Sequence, residues 1–424
     1  MTHIELSTLK NGLRIITDTV PSVGSVALGV WVGVGTRNED MAYNGAAHMV
    51  EHMMFKGTKT RSALDIAEQI ENVGGSMNAY TSREITSYHM HLLSEDVPLA
   101  LDVLADMLRN SEMPDVEIER ERHVILQEIG MCHDTPDDLV FDNYFETAYP
   151  DQTLGAPILG RSDIISSMQR DTLLGYVKKH YTPATMFISA AGAIDHSSFV
   201  KMVEALFGDM SSAEASSYKE AAYLGGENRS EKELEQSHIV LGFRGISRMN
   251  KNFYPAQALA NILGGGMSSR LFQEVREKRG LVYSVYAFHS AYRDDGQFAI
   301  YAGTGPDDLP ELIPVICDEL VKICDDVTSE ELERAKTQMR AGLIMGRESM
   351  MTRADQQAKF LLFRNEKLDI DFLRGQIEAL NIPAIQSVAR QIFSSKPTLA
   401  ALGPLKTLEQ YEKISARFSE RMAA

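Results

Sequence analysis

The alternation of apolar and polar positions predicts strands and helices along the first quarter of the chain. A turn at Asn11 and Gly12 leads into a strand at 14–18, and a nearly unbroken apolar run at 25–34 predicts a buried strand. Small and apolar residues then recur without a breaker from Gly45 to Phe55, which predicts a helix that ends before Gly57. The pattern continues as a helix at 63–73, strands at 76–80 and 86–93, and a helix that begins at Pro98.

A similar succession of elements returns in the second half of the chain. Strand 88–93, an acidic loop, Pro98 and helix 99–108 are matched by strand 298–302, an acidic loop, Pro310 and helix 311–323. The segment 211–232 is rich in Ser, Glu, Ala and Gly, as surface linkers are. The sequence therefore predicts a duplicated α+β unit with domains at 1–214 and 215–424. A coincidence between two common strand-loop-helix units is the alternative.

Composition and charge exclude several classes of protein. The 424 residues are 44% apolar and 24% charged, as in globular proteins, and no apolar run is long enough to cross a membrane. We therefore expect a cytoplasmic protein that does not associate with membranes. A net charge of −17 disfavours binding to nucleic acid and anionic lipid and favours basic partners. Eleven carboxylates against two arginines lie within 112–146, although most such runs are solvated helix faces.

The predicted helix at 45–55 contains the pattern His48-x-x-Glu51-His52. Residues four apart share one face of a helix, so both imidazoles can reach one metal ion while the Glu51 carboxylate lies beside them. This H-x-x-E-H arrangement is a known zinc-peptidase motif. A catalytic zinc site usually has three protein ligands, so a third ligand must come from elsewhere in the chain.

Candidates for the third ligand lie on a predicted helix at 116–131. Glu121 and Glu128 are seven residues apart and share a stripe with the apolar residues Val124, Ile125 and Ile129. A carboxylate on an apolar stripe needs a partner, because its burial alone is costly. That partner is either a metal ion or an Arg or Lys side chain, and the sequence pattern alone favours the ion pair.

The chain resembles the pitrilysin/insulinase family of zinc peptidases, in particular its mitochondrial-processing-peptidase branch. The resemblance rests on His48, Glu51, His52, Glu121 and Glu128 at their spacing, and on segments that cover nearly the whole chain. These segments are 11–13 (NGL), 33–37 (GVGTR), 51–58 (EHMMFKGT), 78–84 (NAYTSRE), 263–272 (LGGGMSSRLF) and 276–284 (REKRGLVYS).

The resemblance implies that His48, His52 and Glu128 bind Zn²⁺ and that Glu51 is the general base that activates the zinc-bound water. Glu121 would orient a ligand histidine and not bind the metal itself. The protein would thus be a metalloendopeptidase of the inverted H-x-x-E-H type.

The resemblance also implies how a substrate binds. The strand with Asn78 and Ala79 would be a sheet edge that pairs with a peptide backbone, with an ordinary strand as the alternative. Arg276 and Tyr283 would lie over the zinc, where Tyr283 donates to the oxyanion and Arg276 holds a substrate carbonyl.

Larger family members enclose a chamber with four domains, each a mainly antiparallel sheet with helices packed on one face. A chain of two similar domains of this α+β type would build that chamber as a homodimer, with Arg276 and Tyr283 completing the active site of the other subunit. The second domain would have no metal site of its own. We expect unfolded, basic, presequence-like peptides as substrates.

Three alternatives remain. In the first, the chain is a non-catalytic partner or scaffold. In the second, it is a metal hydrolase that acts on something other than peptides. In the third, it is a catalytic subunit that works only with a non-catalytic sister subunit. Non-catalytic relatives lose metal residues, whereas His48, Glu51, His52 and Glu128 are all present. This disfavours the first alternative.

Overall fold

In the computed structural model, which describes residues 3–212 and 218–422, the chain divides into two compact units. As far as they are described, the first unit comprises residues 1–130, 156–219 and 344–368, and the second comprises 131–155, 220–343 and 369–424. The predicted domain boundary between residues 214 and 215 lies outside the described residues. No helix in the described ranges is long and apolar enough to cross a membrane.

The first unit is built on a six-stranded sheet of order β1-β2-β6-β3-β5-β4, in which only the β2/β6 pair is parallel. The predicted strands in this region are present, with ends that differ from prediction by at most two residues. The strands are β1 (His3–Thr8), β2 (Arg14–Thr19), β3 (Ser25–Val32), β4 (Ser76–Thr81), β5 (Thr86–Leu93) and β6 (Met186–Gly192).

Most of the helices of the first unit cover one face of this sheet. Their apolar residues and those of the sheet form one core that includes Met49, Val50, Val30, Met90 and Leu104. The helices are α1 (Ala46–Met53), α2 (Ala63–Glu71), α3 (Val97–Asn110), most of α4 (Asp115–Asp134), α6 (Ser162–Ser167), α7 (Arg170–His180), α8 (His196–Phe207) and α12 (Met350–Arg364), with 3₁₀ turns at Thr36–Asn38, Met41–Tyr43 and Ser94–Asp96.

The second unit contains a five-stranded sheet of order β7-β11-β8-β10-β9, in which only β7/β11 is parallel. The strands are β7 (Gly226–Glu231), β8 (Ser237–Arg244), β9 (Val282–Ala291), β10 (Gly296–Thr304) and β11 (Thr398–Gly403). Strand β7 corrects the expectation that 211–232 is all linker. Its sequence GENRSE is polar because β7 is an edge strand with exposed positions, so it has the composition of a loop.

The helices of the second unit are α5 (Pro136–Ala148), α9 (Phe253–Gly264), α10 (Leu309–Lys322), most of α11 (Ser329–Gly346), α13 (Ile370–Glu378), α14 (Ile382–Phe393) and α15 (Tyr411–Met422), with a π-helical turn at Phe272–Glu277. Their core with the sheet includes Leu241, Phe243, Leu259, Phe298 and Phe393.

Five of the six strands in the first sheet have the same topology as the second sheet, which confirms the predicted duplication of an α+β unit. The order β2-β6-β3-β5-β4 in the first sheet corresponds strand by strand to β7-β11-β8-β10-β9 in the second, including the single parallel pair. The strand-loop-helix succession that repeats in the sequence is β5 followed by α3 in the first unit and β10 followed by α10 in the second.

One helix in each unit packs on the other face of the sheet, a feature that the sequence pattern did not predict. In the first unit α12 packs on β6, β3 and β2, and in the second α5 packs on β11, β8 and β7. Trp31 and Phe187 pack with Ala354, Ala358 and Leu361 of α12. Because β3 is covered on both faces, it is apolar at nearly every position and does not alternate.

A buried charge cluster fastens the segment 344–368 to the first sheet. Asp18 of β2 is completely buried, and its Oδ2 accepts hydrogen bonds from Arg347 and, at 2.9 Å, from Arg353. Both arginine side chains are about nine-tenths buried. Removing the carboxylate would leave two buried cations without their shared anion, which is far more costly than losing a surface pair.

We predict that Asp18→Asn lowers the free energy of unfolding of the first unit by about 3–5 kcal/mol. Urea unfolding at pH 7 can be followed by the fluorescence of Trp31, the single tryptophan of the chain, which lies buried in this unit. Asp209→Asn is the control in the same unit, because the Asp209 side chain is 71% exposed and pairs with Arg109 at the surface, where loss of an ion pair changes stability little. Equal effects of the two substitutions would contradict the prediction.

Candidate metal centre

Helix α1 carries His48, Glu51 and His52 and begins where only glycine fits. Gly45 at its N-terminus has φ +94°, and a Cβ there would lie 2.7 Å from the Cα of Gly160. Ala47, Val50 and other apolar residues of α1 are buried in the core. His48 and His52, one turn apart, therefore lie together on the face that is not filled by the core.

A buried carboxylate that the sequence analysis missed holds the first turn of α1. Glu39 Oε1 accepts from the Ala47 N–H at 2.7 Å, and Oε2 accepts from the Gly45 N–H at 2.9 Å and from the Asn44 amide at 3.0 Å. Burial raises the pKa of Glu39 to about 8, against the effect of these three donors. Glu39 lies six residues before Gly45, outside the positions of any capping motif, so no local pattern identifies it.

Helix α4 brings a third candidate ligand to the two histidines. Glu128 Oε2 lies 3.7 Å from His48 Nε2 and 3.8 Å from His52 Nε2. One side-chain donor atom from each of His48, His52 and Glu128 lies within 4.8 Å of the other two. In the described parts of the chain, no other group of three or more His, Cys, Asp or Glu residues comes together in this way. Ile125 and Ile129 are buried as predicted, but Val124 is 37% exposed and lies off the stripe.

The three residues fit a divalent metal ion by donor type and spacing. Two imidazole nitrogens and one carboxylate oxygen are one of the donor sets of catalytic zinc sites, and tetrahedral ligands at about 2.1 Å lie about 3.4 Å apart. Glu128 Oε2 is buried and has no hydrogen-bond partner among the described residues, and a metal cation held between it and the two imidazoles would satisfy it. Burial and the neighbouring His52 lower the pKa of His48 to about 4, which leaves its imidazole neutral and able to bind metal.

Glu121 contacts one of the two histidines. Its Oε2 lies 2.9 Å from His52 Nδ1, and its Oε1 lies 2.7 Å from Lys56 Nζ. Burial raises the pKa of Glu121, but the hydrogen bonds from Lys56 and His52 outweigh it and leave the pKa below its usual value. An anionic Glu121 that accepts from Nδ1–H leaves Nε2 of His52 free for a metal. The sequence did not identify Lys56 as a site residue, although it lies four residues after His52 in 51–58, a segment that carries the family resemblance.

Glu51 is held separately from the three candidate ligands. Its Oε2 accepts a hydrogen bond from the Thr81 hydroxyl at the end of β4. Burial raises the pKa of Glu51, and the Thr81 hydrogen bond opposes that shift. Asn78 and Ala79 lie three and two residues before Thr81 on β4, an edge strand of the first sheet as described. The Ala79 N–H donates to the Asn78 side chain at 2.8 Å.

Arg276 and Tyr283 belong to the second unit. Arg276 lies in the π-helical turn, and its guanidinium carbon lies 4.8 Å from the ring centre of Phe272 and 5.7 Å from that of Tyr283. Tyr283 is 76% exposed at the start of the edge strand β9. The structure thus brings His48, Glu51, His52, Glu121 and Glu128 together in the first unit, and it places Arg276 beside Tyr283 in the second.

Comparison with known proteins gives matches over most of the chain. Residues 14–162 match the family described as "Insulinase (Peptidase family M16)", and residues 167–339 match "Peptidase M16 inactive domain". The chain is 42% identical over 403 residues to an "uncharacterized zinc protease" of Rickettsia bellii and 40% identical over 403 residues to "uncharacterized zinc protease YmxG" of Bacillus subtilis. Each alignment covers 95% of this chain and 98% of the relative.

A solved structure of a protease from Helicobacter pylori has the same fold. It superposes with a TM-score of 0.88 at 24% identity, covering 95% of this chain and 100% of that one. This likeness supports the predicted α+β architecture of two similar units.

We predict that Glu121→Gln weakens binding of a divalent metal about 10- to 100-fold, because the neutral amide no longer fixes the tautomer and basicity of His52. Titration with Co²⁺, followed by its visible spectrum, measures the affinity. Glu119→Gln is the matched control on the same helix, because the Glu119 side chain is 70% exposed and pairs with Arg122. Unchanged Co²⁺ affinity in Glu121→Gln would contradict the role of Glu121.

Proposed function

The chain belongs to the insulinase family of peptidases, and from that premise we propose that it is a zinc-dependent endopeptidase whose metal is held by His48, His52 and Glu128. The observation that carries this proposal is the convergence of one ligand atom from each of these residues to within 4.8 Å, close to the carboxylate of Glu51. The nitrogen and oxygen donors suit zinc, the metal in the names of the two relatives.

The residues of the chain divide the chemistry between them. When bound, zinc supplies Lewis acidity, which favours deprotonation of a nearby water and polarises the carbonyl of the bond to be cut. The Glu51 carboxylate, oriented by the hydrogen bond from Thr81, accepts the proton and delivers it to the leaving amine. Glu121, supported by Lys56, keeps His52 oriented throughout.

We propose that β4 binds the substrate backbone as an added strand, with Asn78 and Ala79 as contact residues. An edge strand offers backbone groups to an extended peptide, so affinity depends little on the substrate's side chains. The exposed position of Asn78 on an edge strand supports this role. Because Asn78 already accepts from the Ala79 N–H, its side chain has to move if a peptide carbonyl takes that position.

The substrates that the charges favour are unfolded basic peptides, such as presequences, cleaved in an enclosed chamber that excludes folded proteins. The net charge is −17, and residues 112–146 hold eleven carboxylates against two arginines. Helix α4, which supplies Glu128, lies in this segment. A field of this sign attracts cationic peptides to the site.

The direct test is cleavage of a quenched fluorescent, unstructured Arg-rich peptide by the purified chain. We predict that Glu51→Gln lowers the rate at least 100-fold while bound zinc stays the same, because the amide cannot accept the proton. Glu68→Gln, an exposed position on α2, should leave the rate unchanged. A Glu51→Gln rate within about tenfold of wild type would refute the assignment.

We further propose that the active enzyme is a homodimer in which Arg276 and Tyr283 of one subunit complete the site of the other. Tyr283 donates to the developing oxyanion and Arg276 holds a substrate carbonyl. The exposure of Tyr283 and its contact with Arg276 support this role, because the pair is assembled and open to a ligand.

Mixing two inactive variants tests this assembly. Glu51→Gln and Tyr283→Phe chains should each be nearly inactive alone. Coexpressed in equal amounts, they should recover about one quarter of wild-type activity, since half of the dimers are mixed and each has one intact site. Absence of any recovery, or a pure chain that sediments as a monomer while it cleaves peptide, would contradict the assembly.

A further inference from the structure

We propose that Thr81 is a positioning residue for Glu51 and that Asp355 acts one step further away, by fixing the end of strand β4 on which Thr81 lies. This inference rests on the proposed function of Glu51 as the proton acceptor.

The contact between Thr81 and Glu51 joins two elements of the first unit. Thr81 is the last residue of β4, and its hydroxyl donates to Glu51 Oε2. In the described part of the chain it is the only hydrogen bond that the Glu51 carboxylate makes. The bond fixes the position of Oε2. Because it is the single hydrogen bond to the carboxylate, it also determines the direction in which Oε1 points.

The residue before Thr81 is anchored on the opposite face of the sheet. Tyr80 donates from its hydroxyl to Asp355 Oδ1 at 2.7 Å, and burial together with Asp355 raises the pKa of the Tyr80 phenol well above its usual value. Successive side chains of a strand point to opposite faces, so the two neighbours hold β4 from both sides.

Asp355 is itself fixed by three donors of the first unit. Its Oδ1 also accepts from the indole N–H of Trp31 at 3.0 Å, and its Oδ2 pairs with Lys359 at 2.8 Å. Lys359 also lies over the Tyr80 ring, with its nitrogen 5.2 Å from the ring centre. Strand β4 has only β5 as a neighbour in the sheet, so side-chain contacts contribute more to its position than they would in a central strand.

The position of Glu51 matters because a general base must reach its proton within hydrogen-bond distance. Displacement of a catalytic group by about 1 Å can cost about 100-fold in rate. A residue that only orients Glu51 affects kcat, whereas loss of substrate pairing on β4 affects KM and loss of the metal site lowers the zinc content.

The first experiment compares Thr81→Val and Thr81→Ser, with Thr19→Val as the matched control. Thr19 lies on β2 of the same sheet and donates one hydrogen bond, to the Ile194 carbonyl, with three strands between β2 and β4. We measure kcat and KM on the Arg-rich peptide, and bound zinc. Thr81→Val should lower kcat about 30-fold with KM and zinc within twofold of wild type, and Thr81→Ser should restore kcat to within threefold.

Three results would overturn the proposal. They are wild-type kcat in Thr81→Val, equal losses in Thr81→Val and Thr81→Ser, or a loss that appears in KM or zinc content. Failure of the proposed function gives a different result, namely Glu51→Gln as active as wild type. If Glu51→Gln is inactive and Thr81→Val is fully active, the proposed function of Glu51 is supported and the positioning role of Thr81 is wrong.

A double-mutant comparison tests Asp355. Tyr80→Phe removes the bond to Asp355 and should lower kcat about threefold to tenfold in the wild-type background, but not in Thr81→Val, because its effect passes through the Thr81 hydroxyl. Trp31 fluorescence checks that the sheet around Asp355 is intact in each variant. Equal effects of Tyr80→Phe in both backgrounds would show that Tyr80 acts independently of Thr81.

Discussion

The site depends on one turn of helix α1, which places two imidazoles on the same face. A residue four positions after His48 returns to the same side, so His52 faces the same point while Glu51 lies next to it. Each surrounding element serves this turn. Glu39 satisfies its first N–H groups, α4 supplies Glu128 and Glu121, and β4 supplies the hydroxyl that holds Glu51. The fold is thus the scaffold that brings three distant segments to one helical turn.

Besides Glu39, three carboxylates lie near this turn, and they differ in the partners they have. Glu121 is balanced by Lys56 and His52, and Glu51 is held by a neutral hydroxyl. Glu128 presents a buried oxygen that has no hydrogen bond from any described residue. The Glu128 side chain as a whole is 36% exposed, so it is this one buried oxygen, beside both imidazoles, that a metal cation would complete. These different partners agree with the three different roles that we propose, with Glu128 as a metal ligand, Glu121 as an orienting group and Glu51 as the proton acceptor.

The sequence predicted the local features well and the long-range contacts poorly. The helix with His48 and His52, the ends of β5, the helix around Glu128 and the duplicated unit follow from periodicity and spacing. The sequence did not identify Glu39, Lys56 and Thr81 as site residues, because tertiary packing determines which groups they contact. The polar edge strand β7 was taken for linker. Apolar residues recur at helical spacing within 350–364, but no local pattern shows that this helix packs on the first sheet. The roles given to Asn78, Ala79, Arg276 and Tyr283 came from family resemblance, and the domain boundary at 214/215 stays a prediction.

The measurement that tests the central claim most directly is the zinc K-edge X-ray absorption spectrum of the purified chain. If His48, His52 and Glu128 hold the metal, the protein contains one zinc per chain with two imidazole nitrogens and a carboxylate oxygen at about 2.0–2.1 Å. Replacement of His48 and His52 by alanine should abolish that spectrum. Zinc bound by sulfur at about 2.3 Å, or the same spectrum in the double alanine variant, would contradict the claim.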